Sequence, residues 1–311
     1  MPNIWTHNLF GDAVVERDLA GRKPEGDRLT ALFYLGCQGP DFLFYHHFFP
    51  WQKKSDMNRL GSRMHQEACG PVLMHMADAV ARRKAGPDDP LTVYVTGFMT
   101  HHVLDRNMHP YVFCKSGSGK WDHQRFEVIL DTIVVKKLLG LDTRSIPVWK
   151  QIDVGPQLPA SVVDLLEETA AYYPDLANRV RRNDWNDAYR DMIRAQKLFH
   201  DPTGVKTVLT FRQIEPFVYK RTYPERDYLN ESHAEWRHPA LENERSTASF
   251  WDLWEQALAD GRKVRQAALA YWSDPSDETR RVLSDAVGNR SYEHGLDVSL
   301  GLPIRFEEPI W

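Results

Sequence analysis

Apolar residues recur every three to four positions along much of this chain, and no clear run alternates as a half-buried strand would, so the pattern predicts helices. Over 63–83, Met64, Ala68, Val72, Met76, Ala79 and Val80 keep helical spacing. Gly86-Pro87-Asp88-Asp89-Pro90 reads as a turn, with Asp89 as N-cap of a helix over 91–104. That helix is apolar on nearly all sides, which predicts a central, buried position. A further amphipathic helix is expected over 121–139, carrying Phe126, Ile129, Leu130, Ile133 and Val134 and stopped by Gly140. The segment 27–47 mixes helical spacing with aromatic residues and a Gly39-Pro40 break.

Asp153-Val154-Gly155-Pro156-Gln157-Leu158-Pro159 is the best linker candidate. It divides the chain into a 1–150 unit and a helical 151–311 region, packed on the first or separate from it. Helices are expected there over 160–173, 184–200, 203–217, 246–259, 262–272 and 275–287, with 222–243 as a structured loop. There is no internal repeat. The expected fold class is all-α.

Composition narrows the function classes. The 311 residues carry 39 Lys+Arg against 43 Asp+Glu, a net charge of −4, which argues against bulk nucleic-acid binding through phosphate charge. No run of 18 apolar residues predicts a transmembrane helix. The start, Met1 to His7, lacks the basic and apolar regions of a signal peptide, and Cys37, Cys69 and Cys114 form no CxxC pair. A cytoplasmic protein with free thiols is the expectation. Ser116-Gly117-Ser118-Gly119 lacks the spacing of a phosphate-binding P-loop.

The informative count is 13 His, nine of them within the first 123 residues. His101/Asp105 and His123/Glu127 are both spaced i,i+4, which sets two donors on one helix face. Spacing alone proves little, since about two such pairs arise by chance at this composition and His238/Glu242 makes a third. A helix histidine hydrogen-bonded to Asp105 is the plain alternative. Context shifts the balance: Val93 to Leu104 is too apolar to leave a carboxylate idle, and a buried carboxylate must be paired or hold a metal. His109 follows in a His-Pro-Tyr turn between the two pairs. His102 points about 100° away from His101 on an ideal helix. His46 and His47 lie in an aromatic run from Phe42 to Trp51, equally suited to packing or to a cleft rim, and His75 reads as a surface or core histidine. Asn230, His233, Trp236, His238 and Pro239 read first as an ordered loop and second as a cleft cover.

His101-x-x-x-Asp105, His109-Pro110-Tyr111 and His123-x-x-x-Glu127, in that order, resemble the zinc-dependent phospholipase C family, related to the S1/P1-type nucleases. Leu35-Gly36-Cys37-Gln38-Gly39-Pro40-Asp41 is similar to the family's loop with an Asp ligand. His65, expected at the start of the following helix, is similar to its His ligand, and Trp5-Thr6-His7 to its N-terminal His. The resemblance covers about residues 1–140. It implies an all-helical domain holding two to three Zn2+ ions, with iron or manganese as alternative occupants. Asp41, His65, His101 and Asp105 would hold one ion, His109, His123 and Glu127 a second, and His7 with bridging Asp105 a third. The implied function is metal-dependent hydrolysis of a small phosphoester or a phospholipid, with Asp41 orienting or deprotonating the attacking water. The competing reading is a metal-stabilised helical binding protein without turnover.

Overall fold

Twelve α-helices and a two-strand hairpin make up most of the described residues, 3–16 and 27–311, of the computed structural model. In chain order the helices are α1 (Ile4–Val14), α2 (Arg28–Gly36), α3 (Asp56–Gln66), α4 (Cys69–Arg83), α5 (Pro90–Ser116), α6 (Asp122–Leu139), α7 (Ala160–Ala170), α8 (Pro174–Ala177), α9 (Arg182–Phe199), α10 (Val205–Leu209), α11 (Phe250–Ser273) and α12 (Asp277–Val287). The strands β1 (Trp236–Arg237) and β2 (Arg245–Ser246) pair antiparallel. The fold is all-α. No helix among the described residues is long and apolar enough to cross a membrane. The three cysteines are buried and form no disulfide.

The organising element is α5. Asp89 caps it, accepting from Leu91 N at 2.8 Å, and Pro90 occupies its first turn, where a missing N–H costs nothing. It is buried along most of its 27 residues, with α2 and α11 packed most extensively against it. The helix does not stop near 104, and His109-Pro110-Tyr111 is not a turn: α5 runs through Pro110 to Ser116. Proline removes the hydrogen bond to the carbonyl four residues back, here Arg106 O. The backbone of Gly295 packs against that carbonyl so closely that a Cβ would lie 2.2 Å from it.

Other boundaries also moved. The expected helix over 63–83 is two helices, because Ala68 adopts φ 52° and Pro71 cannot bond back to Glu67. His65 therefore sits near the end of α3, not at a helix start. Tyr173 OH donates to the freed Glu67 O at 2.9 Å. The 203–217 expectation reduces to α10 and a 3₁₀ turn (Glu215–Phe217), since Phe211 and Arg212 have positive φ. The helices expected over 246–259 and 262–272 are one helix, α11, which starts at Phe250 and continues through Gly261. The α6 expectation agrees with the structure, including Gly140 in the left-handed conformation at its end. Helix α1 has no counterpart among the expected elements.

One apolar core runs from Ile4 through Val287 and draws on both sides of residue 150. Residues 153–159 form a loop between helices, anchored by Val154 N donating to Tyr189 OH at 2.9 Å. The segment after α12 closes on itself at an isolated bridge between Arg290 and Asp297, and Tyr292 N ties it to the first half by donating to His65 O at 3.0 Å.

Candidate metal centre

Five elements bring the eight expected donors together. The long α5 presents His101, Asp105 and His109 at i, i+4 and i+8, hence on one face. Helix α6 adds His123 and Glu127, α1 adds His7, α3 adds His65, and a 3₁₀ turn (Asp41–Tyr45) adds Asp41. Their ligand atoms form three groups: Asp41/His65/His101, His7/His101/Asp105, and His109/His123/Glu127, each with atoms within 4.8 Å of one another. Asp105 joins them. Its Oδ2 lies 3.0 Å from His101 Nε2, and its Oδ1 lies 3.3 Å from His7 Nε2 and 3.6 Å from His109 Nε2. Asp41 Oδ1 is 3.1 Å from His65 Nε2 and 3.9 Å from His101 Nε2, and His123 Nε2 is 2.7 Å from Glu127 Oε1.

Hydrogen bonds behind the histidines decide which ring atom faces inward. His101 Nδ1 donates to Cys37 O at 3.0 Å, His109 Nδ1 to Tyr292 O at 2.7 Å, and His65 Nδ1 to Gly61 O at 2.7 Å. A carbonyl only accepts, so Nδ1 carries a proton in each ring and Nε2 points into the centre. His101 Nε2, His109 Nε2 and both oxygens of Asp105 are buried and make no hydrogen bond among the described residues. Burial lowers His7 to about 4, with the nearby His101 adding to the effect, and burial also holds His109 well below its ordinary value. Burial opposes ionisation of Asp105, yet the surrounding imidazoles, His101 foremost, hold its carboxyl well below the usual range. A fully buried carboxylate thus sits among imidazole nitrogens turned toward it, and these N/O donors fit a divalent metal.

At the rim, burial works to lower His65, but the hydrogen bond and charge of Asp41 prevail and raise it. The rim is the more open side: the Asp41 and His123 side chains are 11% and 20% exposed, whereas Asp105 and His101 are 0% exposed.

Gly39 makes room for His101. It has φ +50°, and a Cβ there would lie 2.1 Å from His101 Cδ2. Gly39→Ala is expected to cost about 2–3 kcal/mol and to weaken metal binding about 10- to 100-fold by turning the ring. Urea unfolding and Zn2+ titration measure the two effects; unchanged values in both would show that the ring position does not matter.

Two supports were not singled out from the sequence. The first is Asp131, one further i+4 step along α6 from Glu127. Its Oδ1 accepts from Thr6 N (2.9 Å) and Thr6 Oγ1 (2.6 Å), and its Oδ2 from Trp5 N (3.1 Å) and Tyr219 OH (2.7 Å). It thereby caps the start of α1 and sets the turn that carries His7. The His123/Glu127/Asp131 repeat was the available signal. Burial outweighs these donors and raises the carboxyl to about 6 from 3.8. Between those values the folded chain keeps a proton that the unfolded chain has lost. The stability contribution of Asp131 therefore falls as pH rises through that window, by about 3 kcal/mol in all. Asp131→Asn is expected to abolish this slope. It should also cost about 2–3 kcal/mol, since an amide nitrogen would face two donors. Urea midpoints between pH 4 and 7 test both; a variant with the wild-type slope would contradict the assignment.

The second support is the segment around Tyr292. Tyr292 N donates to His65 O at 3.0 Å, its carbonyl receives His109, and its ring lies 5.0 Å from His65 and 5.8 Å from His101. His102 turns away from the centre and bonds Arg290 O at 2.8 Å. His75 lies beside Glu168 at 3.1 Å, outside the centre. The Asn230–Pro239 cluster is an ordered loop: Asn230 Nδ2 donates to Ala234 O at 2.9 Å, and the Trp236 ring stacks edge-on at 5.4 Å from Tyr111. Within the aromatic run, Phe42 enters the core beside Trp185, whereas Phe44 is 39% exposed and stands 5.3 Å from the His65 ring. No known protein family, curated protein or solved structure matches this chain.

Proposed function

We propose that the chain is a metal-dependent phosphoester hydrolase with a phospholipase C/P1 nuclease-like fold. The observation that carries this reading is the convergence of eight donors from five elements into three adjoining groups, two of which share His101, with Asp105 3.6 Å from His109 of the third. Asp41, His65, His101 and Asp105 would hold one ion, His109, His123 and Glu127 a second, and His7 with Asp105 a third. Zn2+ suits these donors best, with iron or manganese as alternatives. Bound divalent ions supply positive charge for the phosphate oxygens and lower the pKa of water toward neutrality.

The protein's own residues supply the rest. Asp41, at the open rim, orients the attacking water and takes its proton. Phe44 beside His65 and Phe113, 4.6 Å from the His123 ring, wall the rim with apolar surface suited to a lipid chain or a nucleobase. The His7/His101/Asp105 group is buried throughout, so it fixes the frame of the centre and does not meet substrate.

The test is a panel of p-nitrophenyl phosphate mono- and diesters, a choline phosphoester and short nucleic acids, offered to the Zn2+-loaded chain. Turnover of at least one ester, lost in both His101→Ala and Glu127→Ala, is the expected result. Bound metal with no turnover on any of them would replace this reading with that of a metal-stabilised binding protein.

A further inference from the structure

A second set of donors lies outside the centre, where the chain leaves the 3₁₀ turn of Asp41. His46 is 4% exposed, and one of its two ring nitrogens lies within 4.8 Å of carboxylate oxygens of Asp184 and Asp187, which are spaced i,i+3 on α9. A chain of hydrogen bonds fixes the tautomer of His46. Asn58 Nδ2 donates to Leu43 O, Phe44 O and His46 O at 2.9, 3.1 and 3.0 Å, so Asn58 Oδ1 is turned the other way, as an acceptor. That oxygen receives Ser55 N at 2.8 Å and the Ser55 hydroxyl at 3.3 Å. With its proton committed there, Ser55 Oγ accepts from His46 Nδ1 at 2.7 Å. His46 Nε2 is left with a lone pair and makes no hydrogen bond among the described residues. Burial also lowers the His46 pKa, which agrees with a neutral ring.

We propose that His46, Asp184 and Asp187 form a separate divalent-cation site, of the Zn2+ or Mn2+ class, that ties the Asp41 turn to α9. The imidazole is oriented by a hydrogen bond on its far nitrogen, as metal-bound histidines are. The two carboxylates keep capacity for a metal. Asp184 Oδ2 accepts from Arg181 N at 2.9 Å, and Asp187 Oδ1 pairs with Arg190, which leaves the second oxygen of each. A cavity of about 310 Å³ opens beside the set and is lined by Lys53, Lys54, Arg179 and Arg181, so water or an anion can complete the shell. The same junction is already held by Gln196 Nε2 donating to Tyr45 OH at 2.9 Å and by His47 N donating to Asp191 Oδ2 at 3.0 Å. A cation adds a third tie, at the start of α9, and steadies Asp41 five residues upstream of His46.

Equilibrium dialysis of the full chain against Zn2+, read by elemental analysis, tests the site. Asp187→Asn changes a half-exposed helix residue, and His46→Gln keeps a polar side chain. Each is expected to lose one equivalent of Zn2+ relative to wild type and to keep the ions of the His101 centre. A His101→Ala chain is expected to retain the equivalent that Asp187→Asn then removes, so failure here and failure of the hydrolase centre are read separately. Wild-type stoichiometry in both single variants, or no difference between His101→Ala and His101→Ala/Asp187→Asn, would overturn the proposal.

Discussion

Asp105→Asn is expected to reduce phosphoester turnover by at least about 10³-fold, because in the proposed assignment this one carboxylate, beside both His101 and His7, would serve two of the three ions. The amide keeps the volume but loses the charge, and its nitrogen can donate to an imidazole lone pair that now has no partner. This gives a crossing pattern of stability. Without metal, wild type sets both Asp105 oxygens and the Nε2 atoms of His101 and His109 against one another with no hydrogen bond among the described residues. The variant relieves that opposition, so metal-free Asp105→Asn should melt at or above the temperature of metal-free wild type. With Zn2+ present the order reverses, since wild type gains binding energy that the variant cannot. A variant that is less stable under both conditions would make Asp105 a structural carboxylate and remove the central bridge from the metal reading.

How much of this was legible in the sequence depended on how local each signal was. His101/Asp105 and His123/Glu127 lie one helical turn apart, so their convergence followed once the helices were placed. The α6 boundaries could be read because one face of that helix is polar and Gly140 ends it. Helix α1 could not: ten of its eleven residues are buried, so no polar face marks its period. The extension of α5 past 104 was hidden by Pro110, and the freed Arg106 carbonyl is approached by the backbone of Gly295, 185 positions beyond the proline. Tyr292 was illegible for a different reason. It acts on His65 and His109 through its backbone N–H and carbonyl, which any residue carries. The Ser55–Asn58 relay is encoded by ordinary polar residues at a helix start and takes meaning only from what His46 faces.

Chelation is expected to produce the largest change in stability. A ligand that binds only the folded chain stabilises it by about 4 kcal/mol per site when its concentration is 1,000 times Kd. Loss of even one saturated site should therefore lower the melting temperature by roughly 10 °C for a chain of this size. The effect should be uneven. Helix α1 is docked by three hydrogen bonds to Asp131 that no metal mediates, and α5 is buried in the core. The Asp41 turn and the end of α3 face the centre from its open side, where Asp41 meets His65 at 3.1 Å. Hydrogen exchange after EDTA treatment should rise first in 41–45 and 61–66, with α5 last. Asp105→Asn, already short of its bridging ligand, should respond to EDTA much less than wild type. If wild-type chain shown to have lost its metal melted at the same temperature, these donors would have to be satisfied by protons instead, and neither the metal centre nor the hydrolase built on it would stand.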